Sequence, residues 1–147
     1  MDLVIKIYKE YESARIPKKA HEDDAGYDVF AFNKVTILPG KREIVPIGVR
    51  IISPKGYYYT FAPRSSLAFR YNLVPSHHNV MDPGYTGSCG VLMFNRGVGA
   101  YDIEKGDRFC QLIFHKVFDQ ATKEIDETEY NEITTARSEK GFGSSGK

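Results

Sequence analysis

The chain has 147 residues, 41% of them hydrophobic, and its 20 Lys and Arg nearly balance its 19 Asp and Glu. That length predicts one domain with a sizeable buried core, while a formal net charge of +1 excludes the basic surplus that drives sequence-independent nucleic-acid binding. No apolar stretch reaches the ~18 residues that span a bilayer, and MDLVIKIYKE is no secretory leader; the expectation is a soluble, cytoplasmic chain without membrane partners, or a nuclear one in a eukaryotic or viral setting.

Along the chain the strong local signal has a period of two. EIVPIGVRII (43–52) sets Val45, Ile47, Val49 and Ile51 against Ile44, Pro46, Gly48 and Arg50, which reads as one strand with one buried face. Pro46 cannot donate to a ladder, so the strand lies at an edge or bulges there. YYYTFA (57–62) puts Tyr57, Tyr59 and Phe61 on one side. Ser65 to Tyr71 is the one short helix expected, with a serine able to cap its start. GVLMFN (90–95) and RFCQLIFHKV (108–117) are apolar almost throughout, as strands covered on both faces would be. Cys110 lies in the second of these runs and Cys89 directly before the first; they match no metal spacing and read as reduced, buried thiols. Turn signals at Pro39-Gly40, Pro54-Lys55-Gly56, Pro83-Gly84, Asn95-Arg96-Gly97 and Lys105-Gly106-Asp107 separate the runs. Many short strands so spaced predict an all-β jelly roll, a barrel or sandwich, without internal repeats. The domain is expected to cover residues 1–136, followed by a C-terminal arm at 137–147.

Several stretches carry more chemistry than a sandwich needs. DDAGYD (23–28) clusters acids around a glycine, by itself a solvated loop. APRSSL (62–67) brings Arg64, Ser65 and Ser66 to the start of the short helix, where a guanidinium fork and free N–H groups suit a phosphate; the plain alternative is a surface arginine and an ordinary cap. NVMDPGYTG (79–87) holds one acid, Asp82, before a Pro-Gly turn and Tyr85, which alone is turn chemistry. The neighbouring His77 and His78 would point to opposite faces of a strand, so they cannot chelate one ion together. KGDRFCQLIF (105–114) sets Gln111 in an apolar strand, and a buried amide needs partners. In RSEKGFGSSG (137–146), Phe142 sits between glycines with Arg137 upstream. That tail is either a disordered or linker segment or an arm whose ring lies on something.

In order and spacing these stretches resemble the five motifs of the trimeric dUTPase (deoxyuridine triphosphatase) family: A-G-Y-D at 25–28, P-R-S-S-L at 63–67, V-M-D-P-G-Y-T-G at 80–87, G-D-R-F-C-Q-L at 106–112 and R-S-E-K-G-F-G-S-S-G at 137–146. The resemblance implies a jelly-roll homotrimer with active sites at subunit interfaces. It implies hydrolysis of dUTP to dUMP and pyrophosphate, which supplies dUMP for dTMP synthesis and keeps uracil out of DNA. Arg64, Ser65, Ser66 and Gln111 would then hold the triphosphate, and Asp82 would orient the attacking water. Asn79, Val80, Met81 and Gly90 would belong to the uracil-reading hairpin, with Tyr85 against the deoxyribose. Asp28 would support Mg²⁺ through water, the ion being held mainly by the triphosphate. The arm would close over a neighbouring site, Phe142 stacking on uracil and Arg137, Gly143 and Ser144 engaging phosphates. A hairpin backbone can match the acceptor–donor–acceptor edge of uracil, and cytosine would leave buried groups unpaired at ~1–3 kcal/mol each.

The chain departs from the family pattern at a few positions. Asn79 stands where glycine is usual, Met81 precedes Asp82 where isoleucine is usual, Ser76 replaces a common asparagine, Ser138 a common glycine and Ser145 a threonine. Asn tolerates left-handed backbone better than most residues, which suits the hairpin. Two other functions share the fold. A dCTP deaminase would carry a glutamate after the turn, where this chain has Leu92. A nucleotide-binding regulator would have lost the acid or the arm, and this chain keeps both.

Overall fold

A computed structural model describes residues 3–77 and 79–140. The described residues form ten strands and two helices: β1 Lys6–Lys9, β2 Gly26–Phe30, β3 Val35–Ile37, β4 Arg42–Pro46, β5 Val49–Ile52, β6 Tyr57–Pro63, α1 Ser65–Tyr71, β7 Leu73–Pro75, β8 Gly90–Asn95, β9 Tyr101–Ile103, β10 Arg108–Lys116 and α2 Glu127–Glu132. All the strand pairings are antiparallel. They make four small sheets with orders β1-β5, β2-β10-β6, β3-β9 and β4-β8-β7, the jelly-roll arrangement expected from the turn spacing. No helix among the described residues is long and apolar enough to cross a membrane.

Side chains from every sheet meet in one core, with Val29, Ile37, Val45, Val49, Ile51, Tyr59, Leu73, Met93, Ile103 and Phe109 fully buried. Each large apolar side chain so buried contributes roughly 1.5–3 kcal/mol. Cys89 and Cys110 are both free and buried, and burial raises the pKa of each thiol, so both stay protonated and inert at neutral pH.

Four expectations are corrected. EIVPIGVRII is two strands, β4 and β5, because Gly48 takes φ +71°, a left-handed conformation that glycine reaches without steric penalty. The alternation survives the break: Val45, Ile47, Val49 and Ile51 all point inward. Pro46 ends β4, an edge strand, as its missing donor requires. Second, β8 is covered on one face only. Val91, Met93 and Asn95 are buried, while Leu92 and Phe94 are half-buried on the outer face beside Ile44, which is 65% exposed. On β10 the residues beyond Leu112 are likewise half-buried or exposed. Third, no serine caps α1. Arg64 occupies the N-cap with extended backbone and no side-chain cap bond, because β6 runs straight to Pro63 and the Arg64 side chain is engaged elsewhere. Fourth, α2 is a second helix. The Asp126 side chain accepts from Glu129 N–H and caps it, half of a capping box, yet α2 buries nothing. Residues 117–140 are exposed except for half-buried Ile125, so the chain leaves its sheets at Lys116.

Candidate active site

The sheet β2-β10-β6 assembles the first group of predicted residues. Asp28 lies opposite Gln111, and Gln111 opposite Ala62, so three neighbouring strands bring an acid, an amide and the approach to Arg64 side by side. Asp28 Oδ1 is 3.3 Å from Arg64 Nε, and its Oδ2 is 3.3 Å from Arg108 Nη1. Arg64 Nη1 also donates to Arg108 O at 2.9 Å, and Gln111 Nε2 to Pro63 O at 3.0 Å. The Asp28 side chain is only 14% exposed. Two guanidiniums share this one carboxylate, leaving a positive charge in excess, and planar guanidinium forks suit phosphate oxygens. Ser65 and Ser66 are exposed in the first turn of α1. A cleft of about 390 Å³ opens beside Asp28, lined among others by Arg15, Lys18, Lys19 and Arg108.

Sequence reasoning passed over Arg108, although it lies inside a quoted motif. The pairing of β10 with β2 shifts between Arg108 and Cys110. Such a bulge re-aims a side chain, and no alternation count could find it.

The second group lies on the hairpin after β7. Met81 bridges Tyr59 by two backbone bonds, Met81 N to Tyr59 O (2.8 Å) and Tyr59 N to Met81 O (3.2 Å). Asn79 is buried with φ +48°, left-handed backbone that asparagine tolerates better than most residues, and its Nδ2 donates to His77 O at 2.7 Å. Val80 is 52% exposed, and Asp82 is exposed. Tyr85 N donates to Asp82 O at 3.1 Å across Pro83 and Gly84 (φ +89°), which is type II turn chemistry. The Tyr85 hydroxyl donates to Ser88 O at 3.0 Å. Its ring passes so close to Gly87 that a Cβ there would stand 2.4 Å from Tyr85 Oη. Beneath the hairpin, Tyr59 is fully buried with its hydroxyl 3.3 Å from Cys89 Sγ, and burial raises its pKa far above the usual phenol value. Gly90 begins β8 opposite Pro46.

Within one chain these groups attach at separate points of β6. Met81 is tied to Tyr59, and Arg64 lies five residues further on, roughly 16 Å along an extended chain. Arg137 is exposed, its Nε donating to Lys140 O at 2.8 Å, and does not join the groups at Asp28. Ser138 has φ +49°, again where the family commonly has glycine. Phe142, Gly143 and Ser144 lie outside the described residues, as does His78. Among the described residues no group of three or more His, Cys, Asp or Glu could hold a metal ion. Asp28 offers a hard oxygen donor at this cluster, and Asp107, whose Oδ2 accepts from Glu104 N–H at 2.9 Å, lines the same cleft. Mg²⁺ commonly uses one or two carboxylates when substrate phosphates complete its shell, so the residues present fit an ion brought in by a polyphosphate.

Comparison with known proteins agrees with this geometry. The dUTPase family pattern matches residues 12–146. The deoxyuridine 5'-triphosphate nucleotidohydrolase of fowlpox virus (strain NVSL) is 37% identical over 143 residues, 97% of each chain. That of Clostridium novyi (strain NT) is 34% identical over 95% of this chain and 96% of its own. Among solved structures, the Staphylococcus bacteriophage 80alpha dUTPase with dUPNHPP superposes with a TM-score of 0.87 at 28% identity, covering 97% of this chain and 98% of that one. A dUTPase from phage phi11 of S. aureus, whose structure details the coordination of a structural Mg(II) ion, has a TM-score of 0.78 at 24% identity over 84% of this chain, a likeness of fold alone. With its five motifs in order, its jelly roll and full-length relatives at this identity, the chain belongs to the dUTPase family.

Proposed function

We propose that this chain hydrolyses dUTP to dUMP and pyrophosphate, at sites shared between the subunits of a homotrimer. The observation that carries the reading is the cationic cluster in which Arg64 and Arg108 converge on Asp28 beside Gln111, a polyphosphate cradle set apart from a hairpin suited to a nucleoside. The viral and bacterial relatives are named for this hydrolysis, and the phage enzyme was solved with dUPNHPP.

In this reading Arg64, Ser65, Ser66 and Gln111 hold the phosphates. Asn79, Val80, Met81 and Gly90 line the uracil, and Tyr85 packs on the deoxyribose where a 2′-hydroxyl would collide. Asp82 aims a water in line at the α-phosphorus. The water oxygen bonds to phosphorus, the bond to the bridging oxygen breaks, pyrophosphate leaves and the water's proton passes to Asp82. A carboxylate is a weak base towards free water, so this proton moves late and most stabilisation comes from preorganised positive charge. Asp28 would help hold Mg²⁺ carried in by the triphosphate, and the ion would supply further charge neutralisation. Residues 137–147 act as the closing arm, with Arg137, Gly143 and Ser144 on phosphates and Phe142 on the base.

Two features support the trimer. The outer face of β4-β8-β7 presents Ile44, Leu92, Phe94 and Val74 as cross-strand neighbours, an apolar surface this chain leaves partly bare. The hairpin acid and the cationic cluster are also attached roughly 16 Å apart along β6, which suits a site completed by a second chain.

Pyrophosphate release from dUTP, dCTP, dTTP and UTP, with Mg²⁺, tests the reaction. Release from dUTP alone, lost in Asp82→Asn, is the expected result; release from none ends the enzyme reading. Sharing is tested by refolding Asp82→Asn and Arg64→Ala chains together. Each is inactive alone, but random assembly gives about a quarter of the sites one intact Arg64 and one intact Asp82 if these come from different chains. No recovery would place the whole site in one chain.

A further inference from the structure

Glu10 lies outside every motif discussed above, yet hydrogen bonds tie it to the nucleoside hairpin. Its backbone N–H donates to Gly48 O at 3.0 Å, fixing the loop after β1 against the break between β4 and β5. Its Oε2 accepts from Ser88 Oγ at 2.5 Å and from Arg50 Nε at 3.2 Å. Ser88 O in turn accepts from the Tyr85 hydroxyl at 3.0 Å. The Glu10 side chain is only 18% exposed, so both bonds to its carboxylate are charge-assisted and partly shielded from water. By contrast the hairpin from Asp82 to Tyr85, and Ser88 itself, are exposed, although the Tyr85 ring lies against Gly87. Hydrogen bonds, together with that contact, therefore set where the Tyr85 ring stands.

We infer that Glu10, steadied by Arg50, is a positioning residue for Tyr85: by anchoring Ser88 it fixes the height of the tyrosine ring and so sharpens the choice of deoxyribose over ribose. This rests on the reading of Tyr85 as the wall against the sugar. A 2′-hydroxyl adds one heavy atom to the sugar, and displacements of about 1 Å are enough to decide such fits. The anchor comes from a loop 78 residues away in sequence from Ser88, so it constrains the hairpin from outside its own turn.

The test measures kcat and KM for dUTP and for UTP, with the urea midpoint, on the full chain carrying Glu10→Ala, Glu10→Gln or Ser88→Ala. Glu10→Ala is expected to lower the ratio of kcat/KM for dUTP over UTP roughly three- to tenfold, the scale of one hydrogen bond, with kcat for dUTP nearly unchanged. Glu10→Gln, which can still accept from Ser88, is expected to restore part of the ratio, and Ser88→Ala to add nothing in the double variant. An unchanged ratio in folded Glu10→Ala overturns the inference. If Glu10→Ala does not fold, an unchanged ratio in Ser88→Ala does the same. Tyr85→Ala separates the two layers. If it leaves sugar choice intact, the reading of Tyr85 fails; if it abolishes sugar choice while the Glu10 variants do not alter it, only the role of Glu10 fails.

Discussion

Asn79 offers a sharp test of why this hairpin has its shape. The residue is buried at φ +48° and donates to His77 O at 2.7 Å. Asn79→Ala removes that bond, worth about 0.5–1.5 kcal/mol net, and forces a Cβ-bearing residue without local hydrogen bonding into left-handed backbone, a further ~1–2 kcal/mol. The sum is about 1.5–3.5 kcal/mol. Asn79→Gly loses the same bond but meets no steric penalty; against that, glycine adds a modest entropic loss on folding. Glycine is therefore expected to be more stable than alanine here by about 1 kcal/mol, the reverse of the order in a helix or strand. For a chain of this size each kcal/mol moves Tm by about 2–4 °C, so alanine should melt about 3–14 °C below the parent and glycine clearly above alanine. Urea and thermal unfolding of the three proteins at one concentration settle it, since an oligomer's apparent stability depends on concentration. If alanine equals or exceeds glycine, the left-handed backbone does not select the residue at this position.

Three other outcomes follow from the same geometry. Arg64→Lys removes the fork that reaches both Asp28 and the Arg108 carbonyl; kcat/KM for dUTP should fall roughly 10- to 100-fold, the scale of a charge-assisted bond, with the urea midpoint little moved. Ile44→Asp puts a charge on the outer face of β4-β8-β7 and should shift the mass seen by light scattering from trimer towards monomer, with activity lost in parallel; an active, full-size assembly would remove that face from the interface. Glu10 provides the pH test. Its carboxyl is held below the ordinary 4.5, chiefly by the Ser88 hydroxyl and, against the opposing effect of burial, by Arg50. A depressed folded pKa means the unfolded chain binds the proton more readily, so this contribution is full above the unfolded pKa and is lost as pH falls through the folded one. Glu10→Gln should therefore lose less stability than the parent between about pH 6 and pH 3, read from urea midpoints; equal losses would remove Glu10 from the acid response.

How much of this was legible follows from the range of each interaction. Alternation found the inward faces of β4 and β5 because burial depends on side-chain parity, and parity survived the break at Gly48. It could not show the break itself, since a positive φ leaves no trace in an apolar pattern. The outer face of β8 was misread for a related reason: Leu92 and Phe94 are apolar as a buried strand's residues are, but their cover, in the proposed trimer, comes from another chain. α2 had a readable cap in Asp126 and Glu129 but no apolar stripe, and periodicity is silent about a helix that packs on nothing. Asn79 was the easiest special position to read, since a single residue type signalled its backbone.

The candidate site divides along the same line. Asp28, Arg64 and Gln111 could be quoted from the sequence, but their meeting depends on strand order β2-β10-β6, and Arg108 joins them only through a bulge that breaks alternation. Both are properties of pairing between distant segments, which composition does not encode. Glu10 and Ser88 are more hidden still, because each is unremarkable in its own neighbourhood and becomes informative only once β1 is laid beside β5. The motifs therefore mark groups that would touch substrate, whereas the residues that aim those groups are found only after folding. In this chain the separation is physical as well as informational. β6 carries the bridge to the hairpin at Tyr59 and leads to the phosphate cluster at Arg64, roughly 16 Å apart, and a rigid strand cannot shorten. In the proposed trimer, the hairpin of one copy would meet the cluster of another.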